Sequence, residues 1–144
     1  MRVNECMNPD VRVAGPDNTM QSAAQIMADL DAGFLPVADH ERLIGIVTDR
    51  DIAIRGVAAG KPPETSIREV MSPEVKYCFQ DDEVEDVLDN MGDIQLRRLP
   101  VLDADKHLVG IVSLSDLASN GEAQQAGQAL GEITRPSGLH SQRV

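Results

Sequence analysis

Apolar residues recur along this chain with two alternating rhythms. Met20, Ala23, Ala24, Met27 and Leu30 stand three and four places apart, as do Val84, Val87, Leu88, Met91 and Ile94. That spacing puts each set on one helix face and predicts helices over residues 19–31 and 83–94. Short apolar runs bounded by turn residues read as brief strands: 34–38 and 43–47, then 98–102 and 108–112. Extended pieces at 11–14 and 75–79 precede the long helices, and further helices at 49–59 and 114–119 follow the strands. The pairs Asp17-Asn18 and Asp81-Asp82 stand where the long helices should begin, as capping residues do.

The order strand, helix, strand, strand, helix is thus written twice. FLPVAD at 34–39 aligns with RLPVLD at 98–103, and CMNPDV at 6–11 with VMSPEV at 70–75, both at a separation of 64 residues. One extra residue in the turn before Leu108 shifts the separation to 65, and GIVTDRD at 45–51 then falls on GIVSLSD at 110–116. Neither copy has enough apolar side chains for a core of its own, so the two are expected to pack together with pseudo-twofold symmetry. The expected fold is α/β: two β-α-β-β-α repeats packed through their sheets. Residues 1–64 hold the first repeat and its linker, 65–121 the second, and 122–144 a C-terminal helix and a frayed tail. SIRE at 66–69 has the spacing of a capping box opening a short helix.

Charge and composition narrow the function. The formal net charge of -11 repels nucleic-acid backbones at long range, and the only aromatics, Phe34, Tyr77 and Phe79, make no stacking platform. No apolar run approaches the roughly 20 residues of a membrane span, and the polar N-terminus has no signal-peptide core, so a cytoplasmic location is expected. Cys6 and Cys78 lack CxxC spacing and read as ordinary thiols, with a redox pair left open. The histidines, His40 and His107 in turns and His140 in the tail, show no spacing that converges on a metal, and none is expected.

The doubled phrase has two readings. Thr48 followed by Asp51, and Ser113 followed by Asp116, each have the spacing of a helix N-terminal cap. The same geometry serves a nucleotide: backbone N–H groups at a strand-to-helix junction face a phosphate, and the carboxylate one turn in accepts ribose hydroxyls. Arg50 and Ser115, each just before the aspartate, are further phosphate donors.

The duplicated MxP opening, LPV strand and GIVTDRD-type phrase resemble a tandem pair of CBS domains, a Bateman module, over about residues 5–119. The resemblance implies a non-catalytic regulatory module that binds AMP, ADP, ATP or S-adenosylmethionine, with or without Mg²⁺ and with no required cofactor. It also implies a homodimer and a regulated protein on a separate chain. The family's G-x-x-[ST]-x-x-D motif falls on Gly45, Thr48 and Asp51, and again on Gly110, Ser113 and Asp116. The family pattern pairs each motif with the MxP-proximal segment of the other repeat. It thereby places Val75 and Tyr77 near Thr48 and Asp51, and Val11 near Ser113 and Asp116. Ile46 or Ile111, and Leu35 or Leu99 before the strand proline, would offer an apolar face. A basic residue three places before that proline meets a phosphate in some members; Arg97 matches it, whereas the first copy has Gly33. Arg97 and Arg98 pairing with surface carboxylates is the plainer alternative. Two other functions stay open: an interaction module with vestigial sites, and an Mg²⁺-dependent phosphohydrolase using Asp49 and Asp51.

Overall fold

A computed structural model describes residues 1–94, 96–120 and 123–134; the tail from 135 on, expected to fray, lies outside them. The elements run α1 (Met20–Leu30), β1 (Phe34–Asp39), β2 (Arg42–Thr48), α2 (Asp49–Asp51, continuing as a π-helix over Ile52–Val57), β3 (Cys78–Phe79), α3 (Val84–Ile94), β4 (Arg98–Leu102), β5 (Leu108–Ser113), α4 (Leu114–Ser119) and α5 (Ala123–Ile133). The fold is mixed α and β, with one two-stranded and one three-stranded sheet.

The chain divides into two compact units that cut across the sequence repeats. The first comprises Asp10–Lys76 and Ala104–Leu108; the second comprises Met1–Pro9, Tyr77–Asp103 and the described residues from Val109 on. In the first unit, β1 and β2 pair antiparallel with an irregularity between Val37 and Ala38. Ala14 bridges Val37 in parallel, and Ile46 bridges Ser72 antiparallel. Its core joins Met20, Ala23 and Met27 of α1 to Leu35, Val37 and Val47 of the sheet, and is completed by Ile67 and Val70 from the second repeat.

The second unit repeats this arrangement with the roles exchanged. Cys78 pairs Val101 in parallel, and Asn8 bridges Ile111 antiparallel. Val3 and Cys6, from the first repeat, complete a core of Val84, Val87, Leu88 and Met91 of α3 with Leu99, Val101 and Val112 of the strands. Each unit therefore takes the opening segment of the other repeat, and every one of these contacts has its twin 64 or 65 residues away.

Four expectations are corrected. The cap of α1 is Thr19, whose hydroxyl accepts from Ser22 N–H, and not Asp17-Asn18; the Asn18 side chain instead accepts from Gly15 N–H at 2.7 Å, and the Asn18 backbone carbonyl from Ile67 N–H at 2.8 Å. The helix expected over 49–59 is one α-turn followed by a π-helix. The piece at 11–14 forms no strand, only the bridge at Ala14, and 75–79 shortens to Cys78–Phe79. The Ser66 hydroxyl does open a short helix, but that helix is 3-10, Ile67–Glu69, with no reciprocal bond from Glu69.

Candidate functional site

Each doubled phrase ends a strand and starts a helix, and in both copies the cap is reciprocal. Thr48 N–H donates to Asp51 Oδ2 at 3.0 Å while Asp51 N–H donates to Thr48 Oγ1 at 3.1 Å. Ser113 N–H donates to Asp116 Oδ2 at 3.1 Å, and Asp116 N–H donates to Ser113 Oγ at 3.1 Å. The capping reading is therefore correct for both, and it engages one oxygen of each carboxylate.

The other oxygen differs between copies. Arg55 Nε lies 3.9 Å from Asp51 Oδ1, and the same guanidinium donates to the Met71 carbonyl at 3.2 Å. In the second copy the corresponding residue is Asn120, whose amide donates to the Asp116 backbone carbonyl at 2.6 Å. Among the described residues no cation pairs with the Asp116 carboxylate, so its second oxygen keeps its accepting capacity.

The motif glycines serve the exchange of segments. A Cβ on Gly45 would sit 2.8 Å from Met71 Sδ and 2.9 Å from the Ser72 carbonyl oxygen; one on Gly110 would sit 2.6 Å from Met7 Sδ and 3.0 Å from the Asn8 carbonyl oxygen. Ile46 and Ile111 are half-buried, and their backbones exchange both hydrogen bonds with Ser72 and Asn8. Gly45 and Gly110 thus make room for the MxP segment. Leu35 and Leu99 are 1% and 0% exposed; their side chains belong to the cores and present no face to a ligand, which corrects their assignment as an apolar wall.

Val75, half-buried, shares the first unit with Thr48, Arg50 and Asp51. Tyr77 belongs to the second unit, where its ring meets Phe79 edge-on at 5.6 Å, and Val11 belongs to the first. Arg50 is exposed, and its N–H donates to the Asp49 carboxylate at 2.8 Å.

At the junction of strand and helix the copies carry opposite charge. In the first, Asp49 N–H donates to the Gly33 carbonyl at 3.0 Å and the Asp49 carboxylate lies over Gly33, 2.5 Å from where a Cβ would stand. In the second, Leu114 N–H makes the same bond to the Arg97 carbonyl at 2.8 Å; Leu114 turns into the core, 8% exposed, and leaves Arg97 its place. A cavity of about 550 Å³ opens here, within the range of roughly 300–1,000 Å³ of small-molecule sites. Arg97, Arg98, Ser113 and Ser115 supply its polar wall; Leu114, Ala118 and three residues of α5 supply the rest. Both arginines are exposed and neither forms an ion pair with a described residue, so the plainer reading of them as surface pairs does not hold. Arg98 and the α5 wall were not among the sequence candidates.

Two further clusters bear on the expectations. Cys6 and Cys78 are buried, free and part of one core. Burial, with Asp82 and Cys6 nearby, pushes the Cys78 thiol up to about 12; burial first, then Asp116 and Glu5, raises Cys6. Thiols held in the protonated form make poor redox centres. In the turn at 103–107, Asp103, Asp105 and His107 bring one ligand atom each within 4.8 Å of one another, a convergence of His107 with carboxylates that the spacing had not suggested.

The CBS domain family matches residues 3–56 and 67–122. The chain is 40% identical over 133 residues to the CBS domain-containing protein YhcV of Bacillus subtilis, covering 92% of this chain and 94% of that one. Among solved structures, Hypoxic Response Protein I with two coordinated zinc ions matches with a TM-score of 0.74 at 37% identity, over 83% of this chain and 98% of the other. The CBS domain pair of protein MJ0100 in complex with 5-methylthioadenosine and S-adenosyl-L-methionine matches with a TM-score of 0.73 at 26% identity, over 86% and 98%. Among the described residues no helix is long and apolar enough to cross a membrane.

Proposed function

The chain belongs to the CBS domain family, and from that premise we propose that it is a non-catalytic regulatory module binding a phosphate-bearing adenosine ligand in the cavity of the second unit. The observation that carries this reading is a cavity lined by two guanidinium groups with no carboxylate partner among the described residues, in a chain of net charge -11. Surface arginines in so acidic a protein have carboxylates to choose from; two that stay unneutralised beside a concavity are placed for an anion from solution. The Ser113 and Ser115 hydroxyls add donors, and the second oxygen of Asp116 suits a ribose hydroxyl. The adenosyl ligands of the MJ0100 pair support the adenosine part; the arginines favour a phosphate over a cationic sulfonium.

The first copy supports the alternative, a site kept for structure. Asp51 is engaged by Thr48 and Arg55, and Asp49 sets a negative charge where the second copy has Arg97. The same contacts leave the Asp49 and Asp51 pair poorly suited to attack phosphorus, since Asp51 acts as a cap and its charge is balanced by Arg55. Ligand occupancy would be read by a separate protein as a shift between conformations.

The test is a thermal-melt series with AMP, ADP, ATP and S-adenosylmethionine on the wild type and on Arg97→Ala/Arg98→Ala. A ligand at 100 times its dissociation constant adds about 2.7 kcal/mol. The expected outcome is stabilisation by the phosphate-bearing ligands in the wild type, and none in the double variant. Stabilisation by S-adenosylmethionine alone, or equal stabilisation of both proteins, would contradict the proposal.

A further inference from the structure

The helix that follows the duplication, α5, has no counterpart in the first repeat, where the corresponding residues form the linker and the short 3-10 helix Ile67–Glu69. It is nevertheless fixed to the second unit. Gln125 Nε2 donates to the Glu85 carbonyl at 2.9 Å and to Asp89 Oδ1 at 3.1 Å, both on α3. Ala126 and Ala129, 3% and 4% exposed, enter the core, and their small side chains let the helix lie close. Adjacent positions of the same helix, Gly127 and Leu130, line the cavity that holds Arg97 and Arg98.

Gly127 is an odd residue for the middle of a helix, where only proline is less favourable. Packing does not require it: a Cβ built at Gly127 meets no heavy atom within 4 Å. What the glycine preserves is open volume on the cavity side. Leu130 is 42% exposed, an apolar surface beside a polar wall of arginine and serine. A cavity so divided suits a ligand with an anionic part and a flat or apolar part, which is the chemistry of a mononucleotide.

We propose that α5 is a wall of the ligand site in the second unit, with Gly127 setting how large a group the cavity admits and Leu130 covering the apolar part of the ligand. The proposal rests on the reading of this cavity as a nucleotide site and adds the element that shapes its capacity. Occupancy buries Leu130 and ties α5 to the ligand, so α5 carries the bound state toward the C-terminus.

Gly131 supplies an internal control. It lies on the same helix, a Cβ there also meets nothing within 4 Å, and it does not line the cavity. The experiment titrates AMP calorimetrically into the full chain as wild type, Gly127→Leu, Gly131→Leu and Leu130→Ser, with melting points of the ligand-free proteins alongside. Both leucine variants should melt at or above the wild type, because a good helix former replaces glycine in open space. Gly127→Leu should weaken AMP at least 30-fold, Leu130→Ser about fivefold, and Gly131→Leu not at all. Wild-type affinity in Gly127→Leu overturns the wall while leaving the nucleotide reading in place. Equal losses in Gly127→Leu and Gly131→Leu also overturn it, since the effect then comes from the helix and not from the cavity. Absence of AMP binding in the wild type removes the nucleotide reading and this proposal together.

Discussion

The two copies of the motif share a backbone and differ in chemistry. Both end a strand in a reciprocal cap, and both are crossed at the glycine by an MxP segment of the other repeat. At the next position they part: Gly33 under the Asp49 carboxylate in one, Arg97 beside a buried Leu114 in the other. Architecture is thus fixed by the residues the copies have in common, whereas the charge at the junction is set by a coupled exchange of two residues that a hydrogen bond brings together. A duplicated fold can thus carry opposite charge at matched junctions without disturbing either core.

The largest effect is expected when that exchange is transferred from one copy to the other. In an Arg97→Ala/Arg98→Ala background, Gly33→Arg/Asp49→Leu removes the carboxylate over Gly33 and sets a guanidinium in its place. AMP affinity should rise at least tenfold over the background, since a charge-assisted bond contributes about 1.5–3 kcal/mol; calorimetry reads this, and an unchanged affinity would show that the charge at this junction is not what separates the copies.

The shared part predicts equal effects. Gly45→Ala and Gly110→Ala each push a methyl group into a methionine sulfur and a backbone carbonyl, and each should lose about 1–3 kcal/mol in urea unfolding. A loss confined to one copy would contradict the equivalence of the two crossings.

A third difference is Cys78, which occupies the place of Ala14 at the matched parallel bridge. Its folded thiol is raised from the ordinary 9.0 to about 12. The fold therefore holds a proton that the unfolded chain releases, so this stability is complete below pH 9 and is lost as pH rises from about 9 toward 12. The slope in that window is at most about 1.4 kcal/mol per pH unit. Cys78→Ala, which makes the second copy like the first, should flatten the alkaline fall of the urea midpoint; an equally steep fall would assign it to other groups.

The smallest effect concerns the caps. Thr48→Ala and Ser113→Ala should each lose about 1 kcal/mol, or a few degrees of melting temperature. Only Ser113→Ala should also weaken AMP, because only that hydroxyl lines the cavity.

Much of this was legible in the sequence because helix and strand periods are local. The long helices and the four main strands fell within a residue or two of their expected ends, and both caps were visible as Thr or Ser with an acid three places on. The exchange of opening segments was legible only through the family resemblance, which pairs each motif with the MxP-proximal segment of the other repeat; a periodicity does not say which copy a segment packs against. In the residues themselves its trace was the pair of glycines at matched places, and they read equally well as ligand-motif glycines. Leu35 and Leu99 were carried to the ligand side by the family resemblance, and alternation could not correct this, since it marks a strand but does not say which face meets the core. Arg97 against Gly33 and Leu114 against Asp49 were each visible as single differences, whereas their contact, and hence their coupling, is a property of the fold. The α5 wall stood outside the repeat and so had no twin to mark it, although Ala126, Ala129, Leu130 and Ile133 share one helical face.

The stoichiometry of AMP binding, measured calorimetrically on the wild type and on Arg97→Ala/Arg98→Ala, shows whether the duplicated frame holds one competent site. One competent site means one AMP per chain and loss of that binding in the double variant. Two equivalent sites per chain, or one site unchanged by the double substitution, would contradict it.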